Sequence, residues 1–128
     1  MVNLYGTLVC NFGDLCIDFS LADVVVYGKR LELSKKEFIL LIQLLRAFPE
    51  AVNREILAEV TLIPLRKQNG NGVYKGYAMR TVDVHVSRIR NKLKSAGSRI
   101  EIANEWGTGY RVYIPETVDK YCTVGNSE

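Results

Sequence analysis

The stretch Arg80-Thr81-Val82-Asp83-Val84-His85-Val86-Ser87-Arg88-Ile89-Arg90-Asn91-Lys92-Leu93-Lys94 decides how this chain is read. Val82, Val86, Ile89 and Leu93 recur at three- and four-residue spacing, the apolar stripe of an amphipathic helix. Thr81 can cap it, Asp83 suits the positive end of the helix dipole, and Gly97 is a stop, so the spacing predicts a helix over residues 80–96. Opposite the stripe lie Thr81, Val84, Ser87, Arg88 and Asn91, with His85, Arg90, Lys92 and Lys94 on the flanks. A solvated surface helix can have this composition. An arginine in mid-helix can also donate two bonds to O6 and N7 of guanine, and a valine beside it suits a thymine methyl. Arg80, Arg90, Lys92 and Lys94 would then neutralise phosphates.

The segments around this helix favour the nucleic-acid reading. Downstream, Ile100 to Ala103 and Tyr110 to Ile114 read as a hairpin around Trp106-Gly107-Thr108-Gly109, ended by Pro115. Upstream, Ser34 and Glu37 make a capping box for a first helix carrying Phe38, Leu41, Leu45 and Phe48 on one face, with Pro49 past its end. Asn53 caps a short second helix with Glu55 in its first turn. Leu62 to Met79, broken by Pro64 and Asn69-Gly70-Asn71-Gly72, reads as a long loop. At the start, Leu8 to Phe12, Leu15 to Phe19, Val24 to Tyr27 and Arg30 to Leu33 are β-prone pieces joined by Gly13-Asp14 and Gly28-Lys29, an antiparallel meander. The fold expected is α+β, a winged helix-turn-helix. It has a four-stranded antiparallel sheet over 8–33, two helices over 34–60, a loop over 61–79, the basic helix over 80–96 and a wing over 99–115. Residues 1–7 read as an extension or linker remnant and 116–128 as a loose polar tail.

Composition sets limits. The chain has 128 residues, 48% hydrophobic and 24% charged, the balance of one globular domain. A net charge of +3 is too small to imply nucleic acid by itself, so the distribution of charge carries the argument. No apolar run is long enough to span a bilayer, and the start has no leader pattern, so no membrane partner and a cytoplasmic location are expected. Cys10, Cys16 and Cys122 form no CxxC pair and are expected to be reduced. His85, the single histidine, has no ligand partner at metal spacing. Asp14, Asp18 and Asp23 read as solvated turn and strand residues, and Gly70 and Gly72 lack the GK[ST] of a phosphate loop. No set of nucleophile, base and stabiliser is visible, so neither catalysis, metal nor cofactor is expected.

Two stretches carry a family resemblance. Arg80 to Leu93, and Gly107-Thr108-Gly109-Tyr110-Arg111, resemble the recognition-helix and wing motifs of the winged-helix effector domain of OmpR/PhoB-type response regulators. Phe12-Gly13-Asp14-Leu15, Leu33-Ser34-Lys35-Lys36-Glu37-Phe38 and Asn53-Arg54-Glu55-Ile56-Leu57 are weaker matches. The resemblance implies a two-component transcription regulator that binds double-stranded promoter DNA at direct repeats, as a tandem dimer, and contacts the sigma or alpha subunit of RNA polymerase. Base reading would fall on Val84 and Arg88. Backbone contacts would fall on Arg80, Thr81, His85, Ser87, Arg90, Asn91, Lys92 and Lys94, and on the wing residues Trp106, Gly107, Thr108, Gly109, Tyr110 and Arg111. The polymerase contact would fall on the 61–79 loop, through Arg66, Lys67, Tyr74 and Lys75.

Departures from the pattern are informative. Nothing ahead of Leu8 could hold a phosphorylation pocket, so the expectation is an effector domain without a receiver, either excised or standing alone. Trp106 takes a wing position where some relatives carry a minor-groove arginine and others a tryptophan; its indole can lie against a sugar or phosphate edge, but packing on the sheet is the favoured expectation. Ser87 removes a charge that some relatives have, and Glu105 disfavours a close phosphate approach. The long loop and the near-neutral charge leave a second reading. In it the domain is an interaction module that binds RNA polymerase or another regulator, with weak or absent DNA contact.

Overall fold

Gly13 and Gly28, at φ of 60° and 82°, turn the chain between short strands whose alternate side chains face inward. The computed structural model describes residues 9–61, 72–115 and 123–124. Four strands, β1 (Val9–Phe12), β2 (Leu15–Asp18), β3 (Asp23–Val26) and β4 (Lys29–Leu31), form the antiparallel meander expected from the sequence. Phe12, Leu15, Ile17, Val24, Val26 and Leu31 are buried from one face, and Phe12 and Phe19 meet Phe48 and Phe38 edge to face.

Helix α1 (Lys35–Ala47) starts at the expected capping box: Ser34 Oγ accepts from Glu37 N, and Glu37 Oε1 accepts from Ser34 N, at 3.1 and 3.0 Å. A two-residue strand, β5 (Val52–Asn53), leads into α2 (Arg54–Thr61), and Asn53 Oδ1 accepts from Glu55 N at 2.6 Å. The third helix, α3, runs Gly72–Ser95. It ends in a Schellman turn at Gly97, φ 86°, where Ser98 N donates to Leu93 O and Gly97 N to Lys94 O. Strands β6 (Glu101–Glu105) and β7 (Gly109–Tyr113) form the wing, which β5 joins in the order β5-β7-β6. Val82, Val86, Ile89 and Leu93 are essentially fully buried in one core shared with α1, α2 and both sheets, each worth about 1.5–3 kcal/mol of burial.

Four expectations need correction. The region read as a loop over 61–79 is helical from Gly72, so the basic helix does not begin at Arg80 and Thr81 does not cap it. The single Gly76 costs only about 1 kcal/mol, too little to end a helix. Second, the tail is not wholly apart from the fold. Thr123–Val124 form β8, which pairs antiparallel with β1 and makes the first sheet five-stranded, in the order β4-β3-β2-β1-β8. Third, Cys10 is disulfide-bonded, and only Cys16 is a free thiol among the described cysteines. Spacing rules compare near neighbours, whereas β1–β8 pairing brings the two ends of the described chain together. Fourth, Asp14 is no merely solvated turn residue. Its Oδ1 accepts from Ser98 Oγ at 2.7 Å and its Oδ2 from Arg99 N at 2.8 Å, tying the β1–β2 turn to the end of α3.

Candidate nucleic-acid interface

Once the stripe of α3 is buried, helical geometry divides the rest of the helix into three sectors. Asp83 and Arg90, seven residues apart, lie on the flank towards the wing. His85 and Lys92, also seven apart, lie on the flank towards α1. Between these flanks Arg80, Val84, Ser87, Arg88, Asn91 and Lys94 are exposed on one outward face, with Val84 at 47% exposure.

The wing flank is a clamp. Asp83 accepts two bonds from the Arg54 guanidinium of α2, and its Oδ1 also accepts from Tyr110 Oη of β7 at 2.6 Å. Burial, the bond to Asp83 and its charge push the Tyr110 hydroxyl up to about 12, so it remains a donor. Arg90 donates from Nε to Ile102 O at 2.7 Å and from its terminal nitrogen to Asn104 Oδ1, with its guanidinium 5.5 Å from the centre of the Tyr110 ring. One helix, one helix start and one hairpin are thus held at a fixed relation.

The other flank pins α3 to α1. Lys92 Nζ donates to Glu37 Oε1 at 2.7 Å and to Glu32 O at 2.6 Å. Burial pushes the Glu37 carboxyl up, but the bonds from Lys92 and the Ser34 backbone, with the Lys92 and His85 charges, outweigh it and hold the group below its ordinary range. His85 Nδ1 is 4.0 Å from Glu37 Oε2, buried and without a hydrogen-bond partner. Burial lowers the His85 pKa against the pull of Glu37, and the charges of Arg88, Lys36 and Lys92 lower it further, so the site disfavours the charged ring.

The predicted site residues therefore separate. Arg80, Val84, Ser87, Arg88, Asn91 and Lys94 come together on the open face. Thr81 is half-buried inside the helix and has an interaction of its own. His85, Arg90 and Lys92, expected at phosphates, face protein instead, because their helical angle aims them at α1 and the wing. Tyr110 is likewise a buried clamp residue. Arg111 pairs across the hairpin with Glu105 at 2.9 Å, which neutralises the carboxylate expected to repel phosphate. Trp106 is the largest correction: its indole is 99% exposed and does not pack on the sheet. Gly107, at φ 78°, turns the hairpin, and Thr108 N closes the turn on Glu105 O. Gly109 is required for another reason, since a Cβ there would lie 1.9 Å from Val52 O. Of the polymerase-contact residues, Arg66 and Lys67 lie outside the described residues. Tyr74 and Lys75 lie within the backbone of α3.

The sequence reading passed over two features of the site. The Asp83–Arg54–Tyr110 clamp joins residues far apart in the chain, and only the aspartate in the first predicted turn of the helix hinted at it. Lys36, in the first turn of α1, adds to the positive charge that His85 feels, with exposed Lys35 next to it in the chain. Among the described residues no group of three or more His, Cys, Asp or Glu could hold a metal ion, and no helix is long and apolar enough to cross a membrane.

Among the described residues, a sheet, three helices and a glycine-turned wing define a winged helix-turn-helix domain. A family model described as "Transcriptional regulatory protein, C terminal" matches residues 28–112, and the chain belongs to that family, which is regulatory and not enzymatic. The chain is 32% identical over 110 residues to the heme response regulator HssR of Staphylococcus aureus, covering 86% of this chain and 45% of the relative. It thus spans less than half the length of the curated relatives it matches. Among solved structures it is similar to the DNA-binding domain of the response regulator AdeR in complex with an intercistronic region. That match has TM-score 0.66 and 25% identity, covering 82% of this chain and 99% of the other. It is also similar to the Klebsiella pneumoniae RstA DNA-binding domain in complex with the RstA box (TM-score 0.60, 27% identity, 80% and 94% covered). A third match is the Thermotoga maritima OmpR/PhoB homolog DrrB (TM-score 0.63, 30% identity, 84% and 44% covered).

Proposed function

We propose that this domain is the DNA-reading part of a transcription regulator, with α3 in the major groove and the wing on the adjacent minor groove or backbone. The observation that carries the reading is the outward face of α3. Among the described side chains it holds the exposed cations Arg80, Arg88 and Lys94, with Val84, Ser87 and Asn91 between them, while Asp83, Arg90 and Lys92 of the same helix are bonded to protein partners. Arg88 and Val84 read bases, while Arg80, Ser87, Asn91 and Lys94 hold phosphates. Complexes of AdeR and RstA domains with DNA support the same docking here. Direct-repeat sites, tandem dimerisation on them, RNA polymerase contact through residues 61–79, and a cytoplasmic location belong to the same proposal.

Selection of bound duplexes from a random pool tests it. A single enriched motif, bound with an affinity that falls steeply as salt rises, is expected. Enrichment of no motif, with polymerase retained on an affinity column, would instead favour an interaction module.

A further inference from the structure

We infer that Trp106 is the minor-groove reader of this chain, and that it reads by apolar contact at a deformable pyrimidine–purine step and not by charge. The inference rests on the DNA-binding proposal and deepens it. The indole is 99% exposed at the wing turn, although it is the chain's single tryptophan and the side chain with most to gain from burial. With Arg54, Met79 and Asp83 it lines a concave surface between the wing and the flank of α3 that faces it.

The wing around it offers no competing cation. Asn104 to Gly109 contains no lysine or arginine, and Arg111 is spent on Glu105 at 2.9 Å and on the Tyr113 ring. A neutral wing gains little from the strong negative potential of a narrow A-tract groove, which rewards arginine. A flat apolar group gains by lying on the deoxyribose walls and wedging a base step, and pyrimidine–purine steps open at least cost. The wing is rigid enough to deliver the ring. Tyr110 is bonded to Asp83, Arg90 reaches Asn104, and Gly109 lets β5 lie close against β7.

The test uses the full 128-residue chain and a duplex selected from a random pool, with Arg88→Ala measured in parallel. Trp106 emission reports the wing alone. It is expected to be quenched on binding, and Trp106→Ala is expected to weaken binding about tenfold, or about 1.4 kcal/mol, while melting as the parent does. The slope of log affinity against log salt should be unchanged in Trp106→Ala, because no counterion is released by an indole. Replacing the flanking TpA or CpA step with an A-tract should weaken the parent and leave Trp106→Ala indifferent. Trp106→Arg should reverse that preference and steepen the salt slope. Arg88-dependent binding with unchanged emission, or with equal affinity in Trp106→Ala, overturns this inference and leaves the DNA-binding proposal standing. Absence of Arg88-dependent binding overturns both.

Discussion

Replacing Asp83 with alanine removes the acceptor shared by Arg54 and Tyr110, and the two losses differ in size. The Arg54–Asp83 pair is more than a third exposed on both sides, so after solvent screening it contributes no more than about 1 kcal/mol. Tyr110 is 6% exposed and its hydroxyl is raised to about 12 by burial and by Asp83. Leaving that donor without a partner costs about 1–3 kcal/mol. The expected total is about 1–4 kcal/mol, a fall in Tm of roughly 4–16 °C for a domain of this size. Thermal denaturation of the four members of a cycle with Tyr110→Phe separates the parts. In the Tyr110→Phe background no orphaned donor remains, and Asp83→Ala should cost under about 1 kcal/mol. An equal cost with and without the tyrosine hydroxyl would refute the clamp.

Gly109→Ala should destabilise by about 2–4 kcal/mol, because the added methyl meets backbone atoms of Val52 and Asn53 that cannot swing aside. Amide exchange should quicken at residues 52–53 and 109–110 while α1 keeps its protection; a parent-like melt would contradict this. Acid should act in two stages, since both shifted groups in the α1–α3 contact are lowered. The fold disfavours the charged His85 ring, so its contribution is complete above the ordinary value of 6.5 and is lost as pH falls through its lower folded value. Glu37 must stay ionised, so its contribution is present above 4.5 and is lost as pH falls through its lower folded value. Tm measured against pH should show the upper stage vanish in His85→Gln, and persistence of that stage would place its origin elsewhere.

Local signals carried much of this architecture. The capping box at Ser34 and Glu37, the stripe at 82, 86, 89 and 93 and the stop at Gly97 each depend on residues within one or two turns, and each appears where the sequence puts it. What was hidden depends on distant partners. β5 and β8, two residues each, exist only because β7 and β1 lie beside them. The same holds within α3. Periodicity gives the angle of His85, Arg90 and Lys92 but not that α1 and the wing occupy the space there, so Arg90 and Lys92, expected at phosphates, are bonded within the protein and His85 is enclosed beside Glu37. Trp106 failed in the opposite direction, because hydrophobicity argues for burial and the turn geometry leaves the ring outside.

The central claim is that the outward face of α3 reads base sequence, and Arg88 is its most specific element. The direct measurement compares the affinities of the parent and Arg88→Ala for the selected duplex and for its single-base variants. Loss of about 1–3 kcal/mol on the selected duplex, with discrimination relaxed at one base pair and kept at the others, is the predicted result. Equal affinity of both proteins for every duplex would contradict the assignment of this helix.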